Sequence, residues 1–128
     1  MINCTEKADT NETNNKEIIL TKLSNYISFF ENRNLALIKM DIEGSEGKAF
    51  ESGIELITKY HVPFIIMELV PKYLHLYGTD PQKFLEIFIN NGYKINLLNF
   101  FEKKMYDIRN IIKKSNINLY IVYTPFLE

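Results

Sequence analysis

Residues 35–60 read LALIKMDIEGSEGKAFESGIELITKY. The first six are almost wholly apolar, as a short strand covered on both faces requires. Asp41, Glu43 and Glu46 then arrive with Gly44 and Gly47 between them, and a helical pattern begins. Phe50, Ile54 and Ile57 recur at +4 and +7, while Ala49, Gly53, Leu56 and Tyr60 form a second stripe. Its small members let a helix lie close to a sheet. A strand passing into a helix through a carboxylate-rich turn reads as half of a βαβ unit.

The downstream segments complete the unit and extend it. VPFIIMELVP (62–71) is a continuous apolar run of β-formers, and KYLHLYG (72–78) reads as a connector. DPQKFLEIFINNGY (80–93) is a punctuated helix, with Asp80 as N-cap, Pro81 at the first helical position and Gly92 as the stop. Phe84, Leu85, Phe88 and Ile89 are its expected buried face. KINLLNF (94–100) reads as a strand. Phe101, Met105, Ile108 and Ile112 then keep helical spacing, with Asp107 as the cap of a shorter alternative, and INLYIVYTPF (117–126) is a final strand. Upstream, EIILTKLSNYISFF (17–30) reads as a short strand near Ile18–Leu20 followed by a helical turn or two.

Alternating strands and helices predict an α/β domain with a mostly parallel sheet, flanking helices and right-handed crossovers. Such sheets bind ligands beyond the carboxyl ends of their strands. Asp41 and Glu43 stand at that end of the first run and Glu68 at the same end of the second. Neighbouring strands lie ~4.8 Å apart, so these acids are expected to converge on one rim.

Composition narrows the function classes. Fifteen basic residues against sixteen acidic ones leave a net charge of −1. The whole-chain balance makes no electrostatic case for nucleic acid or for an anionic membrane surface. Residues 1–15 are polar and aperiodic and read as a disordered leader, not as a signal peptide. No stretch reaches the ~20 apolar residues that cross a bilayer. The sole cysteine, Cys4, excludes a disulfide within the chain. A soluble, cytoplasmic protein is the expectation.

Each candidate residue has a chemical and a plain reading. At the rim, Asp41 and Glu43 could orient an acceptor hydroxyl or take its proton; equally, Asp41 could accept backbone N–H bonds at the turn. Glu46 reads as a countercharge to the positive end of the following helix. Glu68, ending an apolar strand, needs a ligand or a partner, and Lys39 on the neighbouring strand is the candidate partner. Carboxylates in this number could hold Mg²⁺, but no further ligand spacing supports a metal. His61 and His75 read as packing residues, with His75 an alternative base at the rim. Tyr73 and Tyr77 could line an acceptor pocket.

KMDIEGSE resembles the K-[IV]-D-[IV]-E-G-x-E motif of FkbM-type methyltransferases. AFESGIELI, VPFIIMEL and FLEIFINNGYKI are similar to that family's following helix, next strand and "GY" segment, in the same order. TKLSNYI is similar to another family stretch, with Ser24 where aspartate is usual. The resemblance runs from Thr21 to Tyr123. It implies a Rossmann-like, class I methyltransferase-like sheet whose final strand is antiparallel. It implies S-adenosylmethionine as cofactor and methyl transfer, commonly to an oxygen of a small molecule or sugar, with Asp41 and Glu43 catalytic and Glu68 and His75 on the acceptor. The Gly-rich turn and ribose-binding acid of that family's cofactor half have no counterpart here. Residues 16–128 therefore resemble the acceptor-side half, active with another half or catalytically silent alone. The strand at 35–41 would then present an unpaired edge, giving self-association or covering by EIIL.

Overall fold

A computed structural model of the chain describes residues 4–8, 16–20, 34–41 and 46–127. Two strands, β1 (Cys4–Ala8) and β2 (Lys16–Leu20), pair antiparallel from Cys4–Leu20 to Ala8–Lys16. The stretch read as a disordered leader thus contains a strand at Cys4–Ala8. EIIL finds its described partner there, rather than along the strand at 35–41.

The main sheet has four strands: β3 (Leu37–Met40), β4 (Phe64–Leu69), β5 (Tyr93–Asn96) and β6 (Ile117–Tyr123). Their order is β3-β4-β6-β5. β3 runs parallel to β4, whereas β6 is antiparallel to both β4 and β5. The expected antiparallel final strand is present. Its place in the middle makes the sheet mixed, with one parallel ladder, rather than mostly parallel. Leu119, Ile121 and Val122 of β6 are fully buried, as suits a strand that, like β4, has neighbours on both sides.

Helix α1 (Glu46–Tyr60) follows β3, and α2 (Pro71–Leu76) and α3 (Pro81–Asn90) follow β4. Phe50 of α1 and Phe84 and Phe88 of α3 join Ile65, Met67, Ile95, Leu119 and Ile121 in one core on one sheet face. Phe88 meets Phe50 and Phe84 edge-on at 5.2 and 5.4 Å. The strand ends are tied by Tyr93, whose hydroxyl donates to the Val62 carbonyl at 2.6 Å. Burial pushes that phenol's pKa up.

The other sheet face is more open. Along β4, Ile65, Met67 and Leu69 are buried while Phe64, Ile66 and Glu68 are half-buried. Along β3 the same alternation exposes Leu37 and Lys39. β3 is therefore covered on one face, not two, and it forms one edge of the sheet.

The punctuated helix matches its sequence. The Asp80 side chain accepts from the Gln82 amide at 3.0 Å, and Gly92 stops the chain at φ 88°. Ile89 departs from expectation: it is 45% exposed, because it sits one residue, ~100° of turn, past the buried Phe88. KYLHLYG is not a connector but most of α2. Pro71 presets the first turn, and Leu74 buries.

The expected helix through Phe101 and Met105 does not form. Only α4 (Ile108–Ile111) does, capped as expected by Asp107, whose side chain accepts from the Arg109 amide at 2.9 Å. Glu102 explains the break. Its carboxylate accepts from the amides of Leu97 and Leu98 at 2.8 Å each and from the Tyr106 hydroxyl at 2.6 Å. Lys94 Nζ donates to the Glu102 carbonyl. These local bonds give the backbone an alternative to the helix.

Two tests follow from this packing. Phe88→Ala should lower unfolding free energy by about 3–5 kcal/mol in urea denaturation with an unchanged slope. The hydrogen bond from Tyr106 and those from the backbone amides hold the Glu102 carboxyl down at about 2, against an ordinary 4.5. That stabilisation is complete above the ordinary value and is lost as pH falls through about 2. The stability difference between the native chain and Glu102→Gln should therefore shrink on acidification across that window; a difference constant with pH would contradict the assigned bonds.

Candidate functional site

The parallel β3–β4 ladder pairs Leu37 with Phe64 and ends at Met40 opposite Met67. The next residues are Asp41, just past β3, and Glu68, the penultimate residue of β4, so both carboxylates stand at the same end of adjacent strands. They line a shared cavity of about 410 Å³ with Val70, Tyr73, Ser115 and Asn116. They also line a second, of about 390 Å³, that runs over the open face past Lys39, Ile66, Asn118 and Tyr120. The acids thus belong to both: a polar cavity beyond the strand ends and a more apolar groove on the sheet.

Each wall has a local cause. Val70 alone separates β4 from α2, which starts at Pro71, so the helix begins at the rim and places Tyr73 there. Reversal of β6 does the rest. Its first residues pair with the last of β4, Ile117 with Leu69 and Asn118 with Glu68. Ser115 and Asn116, which lead into that strand, therefore arrive beside the carboxylates. The close fit of α1 is set by Gly47, where a Cβ would collide with Thr79 ahead of α3.

The sequence-derived candidates are distributed unevenly. Asp41 and Glu68 are brought together. Glu43 lies outside the described residues. Glu46 is the first residue of α1. His75 is exposed on α2 and is not among the residues lining either cavity. Of the two tyrosines named with it, Tyr73 lines the cavity and Tyr77 does not. His61 packs: its ring stacks on Tyr123 with centroids 5.1 Å apart. Among the described residues no ion pair joins Lys39 to Glu68, and no group of three or more metal-ligating side chains gathers.

Ser115, Asn116, Asn118 and Tyr120 were not singled out by sequence reasoning. Only the register of the antiparallel strand could have found them, and register is not written in an apolar run such as INLYIVY.

The arrangement is chemically simple. Two carboxylates accept hydrogen bonds, and serine, asparagine and tyrosine both donate and accept. That lining suits a ligand rich in hydroxyls. The model of the Methyltransferase FkbM domain matches residues 5–95, reaching further upstream than the segments that first carried the resemblance and stopping within β5. Neither a curated protein nor a solved structure matches the chain. No helix among the described residues is long and apolar enough to cross a membrane. With the family model covering most of its length, the chain belongs to the FkbM methyltransferase family.

Proposed function

We propose that these residues form the acceptor side of a methyl-transfer site working on a hydroxyl of a small molecule or sugar. One observation carries the reading: Asp41 and Glu68, ending adjacent parallel strands, border one polar cavity. In transfer to oxygen, the acceptor O–H bond breaks as the new C–O bond forms. A carboxylate within hydrogen-bond reach can orient that hydroxyl and take its proton. Asp41 is assigned this role with Glu43, Glu68 holds a neighbouring hydroxyl, and Tyr73 closes the wall. The strand order with its reversed β6 supports the reading of a Rossmann-like sheet.

S-adenosylmethionine is the cofactor the family implies, and when bound it supplies the methyl group. The described residues do not fit it. The glycines with positive φ, Gly78 and Gly92, follow helices α2 and α3. Neither lies in a strand-to-helix turn that could cradle the cofactor. This misfit favours a second reading, a catalytically silent α/β module.

Titration calorimetry of the chain with S-adenosylmethionine separates the two readings, with micromolar binding expected only of a self-sufficient enzyme. Where methylation of a hydroxyl acceptor is measured, Asp41→Asn should lower turnover about 10²–10⁴-fold without altering the melting temperature, since Asp41 is exposed. An undiminished rate removes Asp41 from the chemistry.

Among the described residues no strand pairs with the outer edge of β3, and that edge is also assigned to self-association. Sedimentation should show a concentration-dependent dimer that Leu37→Lys, which puts a charge on the exposed side of this strand, weakens. A monomer at every concentration contradicts the assignment.

A further inference from the structure

We infer that the connection between β5 and β6 docks the protein on an anionic membrane surface. Three of the most exposed apolar side chains in the described structure are Leu98, Phe101 and Met105, at 74%, 66% and 75%. All three lie in one loop. Their exposure is built, because Glu102 fixes the loop through the Leu97 and Leu98 amides and Tyr106, and the Phe101 amide donates to Asn99 at 2.8 Å. Apolar side chains held out in this way mark an interaction surface.

Charge selects the partner. Residues 102–114, EKKMYDIRNIIKK, carry five basic residues against two acids, although the whole chain stands at −1. Both acids are engaged locally. Glu102 holds the loop, and Asp107 pairs with Arg109 at 2.8 Å. Lys104, Met105, Asn110 and Lys114 share a cavity of about 340 Å³ with Asp107, the carboxylate already paired with Arg109. Two ammonium groups and an amide flanking a thioether suit an anionic lipid headgroup with acyl carbon beside it. A free phosphate would account for the lysines but not for Leu98 and Phe101.

Position adds a reason. Lys114 lines this basic cavity, and the next residue, Ser115, lines the acidic one. Docking through the loop sets the acceptor cavity beside the lipid surface.

The test is co-sedimentation of the full chain with phosphatidylcholine vesicles, with and without phosphatidylglycerol. Binding is expected only with the anionic lipid, and it should fall with added salt, because screening reaches ~10 Å at 0.1 M. Phe101→Ser with Met105→Ser should abolish it. Lys104→Gln and Lys114→Gln should each weaken it about fivefold. The salt series uses the native chain, so it stands even where a variant fails to fold. Equal binding to neutral vesicles, no binding to either, or a lipid-free self-association removed by the same substitutions overturns the proposal. Neither methyl transfer nor cofactor binding enters the readout, so failure of the acceptor-site reading leaves this test intact.

Discussion

The structure depends on β6 lying reversed between β4 and β5. Side chains that stand fully buried on this strand, Leu119, Ile121 and Val122, each contribute about 1.5–3 kcal/mol relative to exposure. Its two ladders also satisfy the backbone of both neighbours. Without it β4 would be left with β3 alone on one side, and β5 would have no strand beside it. Reversal has a second consequence. A strand entering antiparallel starts where its neighbours end, so its leading residues meet the carboxyl rim. The site is composite for this reason: acids from two parallel strands, and the Ser115–Asn116 amide and hydroxyl from the lead-in to the strand that opposes them.

The two sheet faces are unequal, and the difference shapes the cavities. One face is packed by phenylalanines from α1 and α3 against the β4 and β6 side chains. On the other, cover comes from the β5–β6 connection and the chain's end. Phe64 meets Phe100 at 4.7 Å, Phe101 at 6.1 Å and Phe126 at 5.0 Å, and Phe100 meets Tyr120 at 5.5 Å. This cover stops short of the rim. Beyond it lies the groove past Lys39, Ile66 and Tyr120, which opens onto Asp41 and Glu68. The carboxylates stand where the sheet stops being covered.

What could be read from the sequence was what local chemistry decides. Asp80, Pro81 and Gly92 each act through their own backbone, so the bounds of α3 were legible. The strand ends at Asp41 and Glu68 were legible because a charge interrupts an apolar run, and parallel pairing then fixed their meeting. Tertiary competition was not legible. Phe101 and Met105 keep helical spacing, yet Glu102 holds the segment as a loop through the Leu97 and Leu98 amides and the Tyr106 hydroxyl, and spacing carries no sign of that. α2 was missed although Pro71 and Gly78 bracket it, because KYLHLYG is shorter than the periodicity needs. Ile89 shows the limit from the other side: a helix face has a rim, and one residue step crosses it.

Strand order decides how much freedom the β5–β6 connection has. Adjacent antiparallel strands can be joined by two residues, whereas a parallel neighbour demands a crossover helix to return the chain. Residues 97–116 are far more than a hairpin needs, and they contain a single turn of helix, α4. Connections of this length without regular structure are uncommon unless they bind or cover something. Here the first part covers the open face through Phe100, the middle gathers the lysines, and the last two residues complete the acidic cavity. The near-neutral total charge is thus an average over two surfaces of opposite sign that meet at Lys114 and Ser115. Net charge tests a uniform surface, and this chain does not have one.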